Sequence, residues 1–188
     1  MSDLILASAS PRRRDLLRAA GIPFSVVIPN IDEWDHATHP ELSPPELVLA
    51  NARRKAEEIA NRHPAATVLA ADTAVVCEGR FLGKPADREE AVAMLKFLAG
   101  KTHEVLTGVA LCAGGGETKT EVARTLVTFR ELNDDAIADY MSKVNVMDKA
   151  GAYGYQEHGD LIVERTAGSV TNIIGLPMEI VLRWLGNG

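Results

Sequence analysis

The run TVLAADTAVVC, beginning at Thr67, constrains this chain more than any other stretch. It is apolar and rich in β-branched residues, which reads as a buried strand interrupted at Asp72 and Thr73. A carboxylate inside such a run is costly to bury unless it is hydrogen-bonded, paired or metal-bound. Asp72 is therefore either a ligand-facing group at a strand end, where α/β sheets bind their ligands, or a strand-end turn residue. Thr73 points to the opposite face if the strand continues regularly, and reaches the same site only if the chain bends there.

Other elements alternate around this strand. LILA at 4–7 reads as a short buried strand, and FSVVI at 24–28 as a second. Ser10 caps a helix with Pro11 at its first position and Gly21 just past its end. Residues 29–45 form a long polar loop, and Ser43 with Pro44 opens a helix over 44–62. A turn at Glu78-Gly79 follows the central strand. Asp87 and Glu90 form a capping box for a helix ending near Gly100. Two strands over 103–112 and 120–129 are joined through the glycines at 114–116 as a hairpin. A helix runs from Asn133 or Asp134 through Val144, and DKAGAYGYQEHG is a glycine-rich connection. Residues 161–165 and 170–174 read as short strands, and Pro177 begins a last helix ending at Gly186. This order suggests an α/β fold with a mixed sheet, in one domain or one domain with two lobes over 1–188.

The formal net charge of −6 argues against a general nucleic-acid binder. Two cysteines, Cys77 and Cys112, make neither a disulfide framework nor a zinc pattern, so a reduced intracellular setting is expected. The first residues lack the basic and apolar regions of a signal peptide, and no apolar run is long enough for a bilayer.

Arg12, Arg13 and Arg14 stand at the start of a helix, where cations cost a few tenths to ~1 kcal/mol each. An anion held by free backbone N–H groups, Ser8, Ser10, Arg12 and Arg13 would offset that cost; the alternative is a capped helix with solvated arginines. On this pattern Arg12 and Arg13 are both candidate phosphate grips, and Arg14 a solvated side chain. Lys55 falls on the apolar stripe marked by Val48, Ala52, Ala56 and Ile59, so it either snorkels outward or meets an anion. Lys84, in LGKP, could contact a phosphate. Glu33 lies between Asp32 and Asp35 in what is otherwise a mobile acidic loop. Gln156 offers the donor and acceptor that base recognition requires. Asp148-Lys149 can be a simple ion pair, and His36 and His39 a solvated pair.

Taken together, LASASPRRRDLL, DEW, ARRKA, AADTAVV, GKP, DKAGAYGYQ and NIIGLP occur in the order seen in Maf proteins, which this chain resembles from Leu4 to about Leu185. Those proteins are nucleoside triphosphate pyrophosphatases first described as septum-formation inhibitors. The resemblance implies a mixed sheet with flanking helices and two lobes around a central cleft, like the inosine triphosphatases. It implies hydrolysis of a nucleotide to its monophosphate and pyrophosphate, a divalent metal (Mg or Mn), and a cytoplasmic homodimer. The family's catalytic aspartate falls on Asp72, and its specificity positions on Arg12, Thr73 and Gln156. Its phosphate and acidic positions fall on Ser8, Ser10, Arg13, Glu33, Lys55 and Lys84, with Glu33 sharing a metal with Asp72.

Arg, Thr and Gln at the specificity positions look like the dTTP/UTP branch. The 7-methyl-GTP branch typically has tryptophan for the arginine and Asp-Gln for Asp-Thr. Two details depart from the pattern: KVNVM precedes Asp148, and Glu157 follows Gln156 where glycine is common. The rival expectations are turnover of 7-methyl-GTP or inosine triphosphate, or a non-catalytic nucleotide-binding regulator of septation.

Overall fold

The computed structural model describes residues 3–113 and 116–186. Gly114 and Gly115 of the expected hairpin turn lie outside the described residues. The described chain forms a seven-stranded mixed sheet with flanking helices, and it divides into two compact units.

The first unit lies within Met1–Thr73, Thr107–Ala123 and Gly175–Gly188. Strand β1 (Leu4–Leu6) pairs in parallel with β2 (Ser25–Val26) and with β3 (Thr67–Cys77). Period-2 alternation sends Leu4, Leu6, Leu69 and Ala71 to one face and Ile5, Ala7, Val68 and Ala70 to the other. The first face packs on Leu17 of helix α1 (Pro11–Ala19) and on Met178 and Val181 of helix α6 (Met178–Leu185). The second packs on Ala52, Ala56 and Ile59 of helix α2 (Pro44–Arg62). Ser43 and Glu46 form a reciprocal capping box at the start of α2. Close packing here depends on Gly108, where a Cβ would fall 2.5 Å from the backbone oxygen of Val48.

The second unit is Ala74–Leu106 and Arg124–Ile174. Strand β4 (Arg80–Leu82) turns back antiparallel on the end of β3 through Glu78 and Gly79, both at positive φ. That is the backbone a two-residue hairpin turn demands. Helix α3 (Arg88–Leu98) and helix α4 (Asp134–Lys143) bury Leu95, Leu98, Ile137 and Tyr140 in one core with Val127 and Phe129. Strands β5 (Thr102–Ala113) and β6 (Thr118–Phe129) are sheet neighbours and are divided between the two units. Strand β7 (Val163–Ala167) pairs antiparallel with β6.

Five local expectations are corrected. β3 runs unbroken through Asp72 and Thr73, because both side chains find partners without leaving the strand. β2 is confined to Ser25–Val26, an edge strand that among the described residues pairs with β1 alone. Residues 170–174 form a short helix, α5 (Val170–Ile174), rather than a strand. Ser169 Oγ accepts from the Asn172 amide, and the buried Asn172 side chain donates to Val105 O and Thr125 Oγ1, so capping and tertiary bonds override β-branched propensity. Leu161 closes a 3-10 turn, and β7 begins two residues later. Asp87 does cap α3, but the Glu90 carboxylate accepts from the Ala86 amide instead of closing the box on Asp87.

The second core contains a histidine. His103 Nε2 is 2.8 Å from Tyr153 OH, and its ring meets Phe129 and Tyr153 edge-on. Burial brings the imidazole down from 6.5 to about 4. The unfolded chain therefore binds more protons than the folded one between those values. The stabilisation is fully present above pH 6.5 and is lost as pH falls toward 4. The urea midpoint should decline across that window, and His103→Phe should remove this component of the decline. An unchanged slope in His103→Phe would assign the acid sensitivity to other groups.

Candidate functional site

The first unit gathers Glu33, Lys55 and Asp72 on the α2 face of β3. Lys55 is almost fully buried, yet its Nζ lies 2.8 Å from Asp72 Oδ1 and 2.8 Å from Glu33 Oε1. Of the two fates expected for Lys55, it meets anions, and both belong to the protein. Asp72 Oδ2 accepts a further bond of 3.1 Å from Asn51 Nδ2. A buried ammonium between two carboxylates, with an amide donor on one of them, satisfies what charge burial demands.

The acidic loop carrying Glu33 is fastened to α2. Arg54 Nη1 donates to Asp32 O at 2.9 Å, and Asn51 exchanges two 2.8 Å bonds with the backbone of Trp34. The Trp34 ring lies under the Arg54 guanidinium and stacks on His39 at 4.1 Å. His39 is thus an aromatic partner rather than half of a solvated pair. Among the described residues, no three His, Cys, Asp or Glu side chains gather into a metal cage.

Arg13 organises the other face of β3. Its Nε donates to Gly175 O at 2.7 Å, Nη1 to Ala71 O at 2.8 Å and Ser8 Oγ at 3.1 Å, and Nη2 to Thr73 Oγ1 at 3.2 Å. Thr73 Oγ1 also meets Thr107 Oγ1 at 2.9 Å. Asp72 and Thr73 therefore face opposite sides of an unbroken strand. Burial pushes the Arg13 guanidinium down from its ordinary value, while the charges of Asp72 and Glu33 oppose that shift. Ser10 caps α1 by accepting from the Arg13 amide, and its own amide donates to Ser8 Oγ. Arg12 is half-buried. Arg14 is half-buried rather than solvated, with its Nε enclosed and unpartnered among the described residues.

Lys84 and Gln156 belong to the second unit, where both are exposed. Gln156 lines a groove of about 500 Å³ with Tyr155, His158, Asp160 and Arg165. The chain leading to it is clasped from within. Lys149, buried, donates to Asp148 Oδ1 at 2.9 Å and to Asn145 O at 2.5 Å, and its Nζ is 3.1 Å from Glu157 Oε1. Glu157, the neighbour of Gln156, is thus held to a buried cation. Gly154 makes this possible, since a Cβ there would fall 2.7 Å from Lys149 Cε. Tyr140 OH fixes the same glycine by accepting from its amide at 3.0 Å.

The family model described as Maf-like protein matches residues 3–187. The chain belongs to the Maf family. Curated Maf relatives named dTTP/UTP pyrophosphatase include one from Akkermansia muciniphila, 49% identical over 97% of this chain and 94% of that protein. One from Symbiobacterium thermophilum is 48% identical over 98% and 93% of the two chains, and one from a Geobacillus species 44% over 97% and 96%. Among solved structures, a nucleoside-triphosphatase / dITP/XTP pyrophosphatase from Mycobacterium abscessus superposes with a TM-score of 0.43 at 16% identity, covering 68% of this chain and 72% of that one.

Within this Maf chain, sequence reasoning passed over Asn51, Thr107 and Gly175. Asn51 was detectable: it lies one turn before Lys55 on the same apolar stripe, and a polar residue there needs a partner. Thr107 and Gly175 carry no such signal, because their roles arise from contacts with distant segments.

Proposed function

We propose that this chain is a nucleoside triphosphate pyrophosphatase acting on dTTP and UTP, releasing the monophosphate and pyrophosphate. The observation that carries the reading is the buried Lys55 ammonium held 2.8 Å from both Asp72 and Glu33, in a chain whose relatives bear that name. In this reading Asp72 accepts the proton of the attacking water as its oxygen bonds the α-phosphorus. The bond from that phosphorus to the bridging oxygen breaks, and pyrophosphate leaves with the electron pair. Lys55 keeps the two carboxylates together at one place and balances their charge. Arg13, Ser8 and the capped start of α1 supply donors for phosphate oxygens, with Ser10 shaping the helix start.

Two carboxylates of hard oxygen donors fit a divalent cation such as Mg or Mn, which typically takes one or two carboxylates and completes its shell with water and phosphate. Asp72 and Glu33 are the residues proposed to hold it. When bound, such an ion neutralises phosphate charge and acidifies water. Lys84 is proposed for phosphate charge, and Arg12, Thr73 and Gln156 for base selection, on the family resemblance. That resemblance also supports one functional domain over 1–188 and a cytoplasmic homodimer. The described residues contain no helix long and apolar enough to cross a membrane.

A nucleotide panel with pyrophosphate detection, run with Mg and with Mn, tests the assignment. dTTP and UTP should be turned over at least ~10-fold faster than 7-methyl-GTP or inosine triphosphate, a margin of about 1.4 kcal/mol in transition-state binding. Preferred turnover of either purine nucleotide would contradict it, and metal-independent binding without turnover would favour a regulator. Arg12→Ala should shift the ranking within this panel; an unchanged profile would remove Arg12 from base selection.

A further inference from the structure

We propose that Asn51 is a positioning residue, setting Asp72 and Glu33 in register around Lys55 through one amide shared between β3 and the acidic loop. This rests on the reading of Asp72 and Glu33 given above. The side-chain amide of Asn51 has two hydrogens and one oxygen, and all three functions are used. One hydrogen goes to Asp72 Oδ2 at 3.1 Å and the other to Trp34 O at 2.8 Å, while the oxygen accepts from the Trp34 amide at 2.8 Å.

Trp34 is the neighbour of Glu33, so fixing its backbone at both polar groups fixes where the Glu33 side chain departs. Asn51, Arg54 and Lys55 occupy positions i, i+3 and i+4 of one helix, and so share a face. Arg54 takes Asp32 O, Asn51 takes Trp34, and Lys55 takes the Glu33 carboxylate between them. The loop is thus read residue by residue by one helical turn. Asn51 is itself only 2% exposed, so water does not substitute for its bonds in the folded chain.

No other side chain of this size performs all three tasks. Alanine leaves the Trp34 amide, the Trp34 carbonyl and one Asp72 oxygen without this partner. Aspartate keeps the acceptor for the Trp34 amide, loses both donors, and sets a second carboxylate against Asp72.

Asn51→Ala and Asn51→Asp are made with and without Trp184→Phe, which leaves Trp34 as the sole tryptophan. Hydrogen exchange at the Trp34 amide and acrylamide quenching of its fluorescence report the clasp without reference to catalysis. Both should increase. With dTTP and Mg, kcat should fall roughly 10- to 100-fold, the size expected when a group orienting a functional ligand is lost. KM should stay within about threefold, because nucleotide contacts are not removed. Combined with Glu33→Gln, the losses should fall short of multiplying by about threefold or more.

Unchanged Trp34 protection in both variants overturns the proposal. So does a released Trp34 with unchanged kcat, or losses that multiply in full. A wild-type protein that turns over neither dTTP nor UTP instead overturns the proposed function, and Trp34 exchange then decides the clasp by itself.

Discussion

Asp72→Asn is expected to lower pyrophosphate release by about 10²- to 10⁴-fold while nucleotide still binds, the range spanned by losing a general base. The substitution is close to isosteric. The replacement amide could still offer an oxygen to Lys55, which approaches Asp72 Oδ1 at 2.8 Å in the native chain. That amide cannot take up a proton from water at neutral pH, and it replaces one of the two carboxylates proposed to hold a metal. Glu33 remains with the Lys55 ammonium, so the local charge changes by one unit without an exposed cavity. Titration calorimetry with dTTP in Ca-containing buffer, beside pyrophosphate release in Mg, separates binding from turnover. Near-normal release would remove Asp72 from the chemistry.

Arg13→Ala is expected to be the most damaging of the arginine substitutions, and chiefly for folding. The guanidinium reaches Gly175 O, Ala71 O, Ser8 Oγ and Thr73 Oγ1, and so joins α1, the segment after β1, β3 and the segment before α6. Each acceptor left without a partner in a protein interior costs about 1–3 kcal/mol, less where water can follow. A loss of about 2–4 kcal/mol follows, equivalent to a fall in melting temperature of several degrees or more for a chain of this length. Arg13→Lys should recover only part of it, since an ammonium cannot reproduce the planar fork. Arg12→Ala, at a half-buried position, should melt near the native temperature. Equal melting of Arg13→Ala and the native protein would show that the clasp is not structural.

That contrast bears on the three arginines at the helix start. Charge alone marks them as unfavourable there, and an anion is one resolution. Arg13 has another: neutral oxygens of the same unit already receive its donors, and carboxylates nearby offset its charge. A nucleotide that engages Arg13 must therefore do so alongside these bonds or in exchange for some of them.

Helices α1, α2 and α4 were legible because their signals are local. Ser10 with Pro11, Ser43 with Pro44, and Asn133 sit where capping chemistry places them, and the structure begins α1, α2 and α4 there. The inward aim of Lys55 was legible from its stripe. The continuity of β3 was not, because what allows Asp72 to stay in the strand comes from residues 17 and 21 positions away. The α5 segment misled for a related reason. Val-Thr-Asn-Ile-Ile has strand-forming composition, but Asn172 carries the tertiary bonds that decide its conformation. The acidic loop looked mobile for want of any local order, whereas α2 fixes it through side chains distant in the sequence.

Phosphorus NMR of the products from dTTP tests the central claim most directly. Cleavage between the α and β phosphates predicts thymidine monophosphate and pyrophosphate in equal amounts, formed by the native protein with Mg or Mn and lost in Asp72→Asn. Thymidine diphosphate with inorganic phosphate, or native-level product from Asp72→Asn, would contradict it.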